Sequence, residues 1–124
     1  MQTGSVELET DSLTPLHWVG VVLAVLTGFV HLALGLATIT HPLGIASVLA
    51  AGGFAGAIIL LLSNYRRRLI IALGIPFVGS QIVLWYVIND PASLGDISLL
   101  EAFDKTVQVL LIGVLVVLLS REPS

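Results

Sequence analysis

The sequence predicts an all-α integral membrane protein, a bundle of four transmembrane helices running up-down-up-down. Four apolar stretches, roughly Leu16 to Ile39, Leu43 to Leu62, Leu69 to Ile88 and Leu99 to Leu119, fill most of the 124 residues. Each is about twenty residues long, which at about 1.5 Å of rise per residue matches a hydrocarbon core of about 30 Å. The mean hydropathy is +1.05 and only 10% of residues are charged, so a soluble domain of this size could not hide the apolar surface. The chain divides into an acidic, disordered cytoplasmic tail at 1–13 and a four-helix transmembrane domain at 14–121. The spans fall at about 15–39, 43–63, 69–89 and 99–120.

Each element has a chemical reason to start and stop. The tail carries Glu7, Glu9 and Asp11 and no basic residue, so it lacks the positive segment of a secretory signal. Thr14-Pro15 offers a capping hydroxyl and a proline at the first helical position, which starts the first helix. His41-Pro42-Leu43-Gly44 ends it in a tight hairpin and starts the second. The third begins at Arg66-Arg67-Arg68, carries Pro76 in its interior and ends near Asn89-Asp90-Pro91. Ser98-Leu99-Leu100-Glu101 reads as a capping box opening the fourth.

The basic residues set an orientation. Arg66, Arg67, Arg68 and Arg121 fall on one side of the membrane and Lys105 on the other. The positive-inside rule places that basic loop and both termini in the cytoplasm of a multi-pass protein of the cell membrane. His41 and the connector carrying Asp90 and Asp96 then face out. Arg66, Arg67 and Arg68 are read as the topogenic anchor.

The second span is rich in small residues. Gly52 and Gly56 form a GxxxG pair, which lets helix backbones approach closely in lipid. They are expected at a helix–helix contact, either within the bundle or against another subunit.

Three polar side chains lie deep in the spans: His31, Gln81 and Gln108. An unpartnered polar group in lipid costs several kcal/mol, so these should face inward and are expected to meet. On the first helix His17, Gly20, Ala24, Thr27, Gly28, His31, Gly35 and Thr38 recur at three- and four-residue steps, a small and polar stripe. On the fourth, Glu101, Asp104, Lys105 and Gln108 share a strip, with Glu101 spaced to pair with Lys105. The candidate intramembrane cluster is therefore His31, Gln81, Gln108, Asp104 and Lys105. In it the two glutamine amides are expected to satisfy both nitrogens of a neutral His31. One reading makes it a hydrogen-bond cluster that fixes helix register; the other makes it a ligand, ion or proton site.

Other chemistry is read down. The chain has no cysteine, so disulfides, thiolate metal sites and cysteine nucleophiles are excluded. His31 stands alone at depth, which disfavours a bis-histidine haem. No paired-histidine zinc motif and no phosphate loop occur. No catalytic, metal or cofactor site is expected, and nothing calls for a nucleic-acid partner.

As a set, Arg66-Arg67-Arg68-Leu69, Gly74-Ile75-Pro76-Phe77, Gln81-Ile82-Val83-Leu84-Trp85-Tyr86 with Asn89, and Asp104-Lys105 with Gln108 resemble a family of small haloarchaeal membrane proteins of unknown function. The resemblance covers most of the chain after the tail and implies a fold and a source, but no activity. The functional expectation is a non-enzymatic accessory or partner subunit of a membrane complex, in contact with the bilayer and with a second copy or another subunit. The alternative is a small-solute, ion or proton binding or transport protein that uses His31, Gln81 and Gln108 as an oligomer.

The orientation has a direct check, because the chain lacks cysteine. A cysteine introduced at Ser93 should react with an impermeant thiol reagent in intact cells, and one at Ser5 should not. The reverse pattern overturns the orientation.

Overall fold

The computed structural model describes residues 10–89 and 98–122. Its helices are α1 (Pro15–Ala37), α2 (Pro42–Leu62), α3 (Arg67–Asn89) and α4 (Leu99–Arg121), and no strand occurs among the described residues. All four helices are long and apolar enough to cross a membrane, the mark of a multi-pass membrane protein. Phe29, Leu49, Val87 and Leu99 are among the large apolar side chains left on the outside of the bundle, where hydrocarbon accepts them and water would not. The first nine residues of the expected tail, and Asp90 and Asp96 of the expected connector, lie outside the described residues.

The helix ends follow from local chemistry. At the start of α1, the His17 backbone N–H donates to Thr14 Oγ1 at 3.4 Å, and the Thr14 N–H donates back to His17 Nδ1 at 3.0 Å. A histidine here takes the part that Glu or Gln plays in a capping box. The His41 ring caps α2 by accepting from the Leu43 N–H at 3.0 Å. At the far end of α2, Asn64 adopts a left-handed backbone (φ 58°); its N–H donates to the Leu61 carbonyl, and that of Tyr65 to the Leu60 carbonyl. This is a Schellman closure, with asparagine in the place glycine usually takes. Arg66 follows at φ 46°, and α3 begins at once.

That turn brings the arginines inward. Arg67 is only 5% exposed; its Nε donates to the Leu61 carbonyl at 3.0 Å and its Nη1 to Ser12 Oγ at 2.7 Å. Arg68 Nη1 donates to the Leu119 and Glu122 carbonyls. Two arginines of the basic loop therefore close the carbonyl ends of α2 and α4, while Arg66 stays exposed. The α4 start is the Ser98–Glu101 capping box, with Glu101 N–H donating to Ser98 Oγ and Ser98 N–H donating to Glu101 Oε1.

α1 packs along α2 and α4, and α4 along α3, while α2 and α3 share a much shorter seam. The core falls into two groups: Val21, Leu61, Ile71 and Leu118, and Phe54, Val78 and Leu111. The small stripe of α1 faces inward, Gly20 against Val114, Gly28 against Phe54 and Gly35 against α2. A methyl on Gly35 would come within 2.7 Å of the Gly44 carbonyl oxygen and Val48 Cγ2, and one on Gly44 would collide with the Thr38 carbonyl. The close approach of α1 and α2 thus runs through Gly35 and Gly44.

Gly52 and Gly56 are not at a helix contact within this chain. Nothing lies within 4 Å of where a side chain would begin at either. The reason is rotational: Phe54 is buried, and at about 100° per residue the positions two before and two after it fall on the opposite face. On α2 it is Gly53 that meets the Phe77 ring of α3.

Matched substitutions check this packing. Gly44→Ala should lower stability by about 1–3 kcal/mol through overpacking against backbone. Gly52→Ala and Gly56→Ala should stay within about 0.5 kcal/mol of the parent. Thermal melting in mild detergent measures all three, and the opposite ranking refutes the assignment.

Candidate functional site

α4 organises the polar interior because it lies between α1 and α3. Successive residues on a helix point about 100° apart, so one polar strip can address two neighbours. Asp104 turns to α1, where Thr27 Oγ1 donates to Asp104 Oδ1 at 2.6 Å. Gln108 turns to α3, where its Nε2 donates to Gln81 Oε1 at 2.7 Å. Lys105 bridges the two directions, with Nζ donating to Gln108 Oε1 at 2.7 Å and lying 3.1 Å from Asp104 Oδ2. Thr27 and Gln108 are wholly buried and Asp104 nearly so.

A second layer sits on the first. Trp85 Nε1 donates to Glu101 Oε2 at 2.9 Å, and the Lys105 ammonium lies 5.6 Å from the Trp85 ring centroid. Glu101 therefore does not pair with Lys105 as its spacing suggested; Asp104 does. Removing a carboxylate and an ammonium from water costs several kcal/mol each, and the pairing with further donors on both offsets that cost.

His31 is brought to the same place but not to the same partners. Its Nδ1 lies 2.9 Å from the Thr27 carbonyl oxygen, which can only accept, so Nδ1 carries the hydrogen. It also lies 3.4 Å from Thr27 Oγ1, which links it to Asp104 at one remove. The expectation that Gln81 and Gln108 satisfy both its nitrogens is corrected: the two glutamines bond to each other. A carbonyl one turn earlier on the same helix is a nearer partner than either amide. The ring faces Phe54, with centroids 6.0 Å apart.

Around this floor is a cleft of about 560 Å³. It is lined by the C-terminal halves of α1 and α3 and the N-terminal halves of α2 and α4, including His31, Ser47, Gln81, Trp85, Asp104 and Lys105. The Lys105 bond fixes the amide orientations. Gln108 must present its oxygen to Lys105 and its nitrogen to Gln81, which leaves Gln81 Nε2 a donor. That atom is buried and has no hydrogen-bond partner among the described residues.

Below the floor the interior of the bundle is apolar. Phe54, Val78 and Leu111, then Val21, Leu61, Ile71 and Leu118, separate the cleft from a second polar group at the other end. There His17 Nδ1 accepts from Thr14, so Nε2 is the donor to Glu122 Oε2 at 3.2 Å.

Of the residues singled out in the sequence, His31, Gln81, Asp104 and Lys105 line one cleft, and Gln108 is buried behind it, bonded to Gln81 and Lys105. Gly52 and Gly56 are elsewhere, and Arg67 and Arg68 serve as caps at the opposite end. Sequence reasoning did not single out Thr27, Trp85 and Phe54 for this site. Thr27 had a signal in its place one turn before His31 on the polar stripe; Phe54 had none.

Fold and site together define a small all-helical membrane protein with a charged, internally paired cleft at one end of its bundle. The chain belongs to a family of unknown function, DUF7475, which matches residues 3–119. No curated protein and no solved structure matches it.

The Thr27–Asp104 bond is testable by an isosteric change. Thr27→Val leaves a buried carboxylate oxygen short of its donor and should cost about 1–3 kcal/mol. Thr106→Val, whose exposed hydroxyl donates only to the Ala102 carbonyl, should stay within about 0.5 kcal/mol. Thermal melting in detergent compares them, and equal effects would remove the bond from the account.

Proposed function

We propose that this chain is a non-enzymatic, up-down-up-down bundle of the cell membrane, with both termini cytoplasmic, whose cleft binds a small hydrogen-bonding molecule. The observation that carries the reading is the cleft itself, about 560 Å³ with His31, Ser47, Gln81, Trp85, Asp104 and Lys105 on its lining. Every charged group on the floor is engaged: Asp104 by Thr27 and Lys105, Glu101 by Ser98 and Trp85, Lys105 by Gln108 and Asp104. The apolar layer beneath the floor favours binding over conduction through a single chain.

The accessory-subunit reading rests on a different observation. The face of α2 that carries Gly52 and Gly56 packs on nothing in this chain, which suits a second copy or another subunit of a membrane complex.

Native mass spectrometry of protein purified in mild detergent tests the proposal. A non-protein adduct in a one-to-one ratio, lost on Gln81→Leu, is the expected result. Bare protein, with no thermal stabilisation by hydroxyl or carbonyl compounds, overturns it. A co-purifying protein at that step supports the subunit reading.

A further inference from the structure

We propose that the arginine end of the bundle holds an anionic phospholipid, its phosphodiester in a cleft lined by Arg66 and Arg68 and an acyl chain along the outer face of α3. This site lies at the opposite end of the bundle from Asp104 and Lys105 and does not depend on what their cleft binds.

The headgroup chemistry follows from two guanidinium groups whose donors are not used up. No carboxylate pairs with Arg66 or Arg68 among the described residues. Arg66 lies over the Tyr65 ring, its guanidinium carbon 5.7 Å from the centroid, and donates to no acceptor among the described residues. Arg68 spends Nη1 on the Leu119 and Glu122 carbonyls at 3.2 and 3.0 Å. Those bonds tether the guanidinium and leave Nε and Nη2 without an acceptor among the described residues. The two nitrogens form one edge of the group, with parallel N–H bonds that match two oxygens of a phosphate. Arg67 has a different task, buried against the Leu61 carbonyl and Ser12.

The space beside them suits a headgroup. A cleft of about 560 Å³ is lined by the three arginines, by Leu69 and Ala72 of α3 and by Glu122. Arg66, Arg68 and Leu69 are exposed, so it can be reached from outside the bundle. Three guanidinium groups and one carboxylate give these lining residues a formal balance of +2. The carboxylate is engaged elsewhere, accepting from His17 Nε2 at 3.2 Å. A net anionic headgroup complements that balance, whereas a choline headgroup would carry a second positive charge into it.

The position of the cleft selects a lipid over a free anion. α3 is long and apolar enough to span a membrane, and these arginines stand at its first turn, where the span meets the headgroups. Leu69 lines the cleft and also opens an exposed apolar row with Leu73 and Phe77, four residues apart on one face of α3. That row descends about 12 Å into hydrocarbon at about 1.5 Å per residue. Inorganic phosphate would use the basic part of this surface alone; a phospholipid uses both parts.

Native mass spectrometry of the detergent-purified protein, titrated with phosphatidylglycerol or with phosphatidylcholine of the same acyl chains, tests the site. The first phosphatidylglycerol should bind at least about fivefold tighter than phosphatidylcholine. Arg66→Gln should lower that affinity about fivefold in protein that melts as the parent does, since the side chain bonds to no acceptor among the described residues. Arg121→Gln removes the same charge from the same end but outside this cleft, and should change the affinity by less than about twofold. Binding should survive Gln81→Leu.

Equal affinity for the two lipids would show that no headgroup charge is read. Equal losses from Arg66→Gln and Arg121→Gln would assign the attraction to the charge of the whole end and overturn the site. Loss on Gln81→Leu would move the lipid to the other cleft. Displacement of phosphatidylglycerol by equimolar inorganic phosphate would make the free anion the ligand and overturn the lipid. The comparison of the two lipids is made on the unsubstituted protein, so it does not depend on any variant folding.

Discussion

Inside hydrocarbon a polar group must find its partner within the protein, and the polar strip of α4 is where that requirement concentrates. Asp104 and Gln108 can be satisfied only if α1 presents Thr27 on one side and α3 presents Gln81 on the other. Apolar contact gives little preference between helices in lipid, since the tails are as apolar as leucine. The register of α1, α4 and α3 is therefore set by these few bonds. α2 has no such handle, because its only polar side chain is Ser47. It is held to α1 by the glycine contact at Gly35 and Gly44 and has no polar side chain to bond α3 deep in the bundle. The cleft lies where that bonding is missing.

The two ends of the molecule solve a similar problem differently. At the cleft end, side chains bond one another across helices, Asp104 with Thr27, Gln108 with Gln81 and Glu101 with Trp85. At the other end, Arg67, Arg68 and the Thr14–His17 pair satisfy helix termini, whose last carbonyls and first N–H groups have no partner within their own helices. Between them lies an interior with no charged side chain, formed by Val21, Phe54, Leu61, Ile71, Val78, Leu111 and Leu118.

Much of the helical architecture was legible because apolar length and capping chemistry are local properties. Thr14-Pro15, His41-Pro42 and Ser98–Glu101 mark ends that neighbouring residues alone determine. The similar depth of His31, Gln81 and Gln108 was legible too, since depth along a helix follows from residue count. Its pairing was not, because that depends on which neighbour lies closest after packing. His31 found the Thr27 carbonyl on its own helix, and Glu101 found Trp85. Gly52 and Gly56 make no contact within the chain because α2 is small around most of its circumference, so composition gave it no unique inner face; the buried ring of Phe54 chose one. The burial of Arg67 was hidden for a similar reason. Three consecutive arginines read as a solvated loop until the left-handed backbone at Asn64 and Arg66 turns the middle one inward.

The apolar layer has an electrical consequence. Where water reaches the cleft floor, the membrane field is confined to the insulator that remains, from Thr27 to His17, about 15 Å of helix at about 1.5 Å per residue. A full charge crossing such a barrier exchanges about 2.3 kcal/mol with a potential of about 100 mV. The layer of Val21, Phe54, Leu61, Ile71, Val78, Leu111 and Leu118 contains no charged side chain to make that exchange. Among the described residues, the apolar layer itself therefore contributes no gating charge.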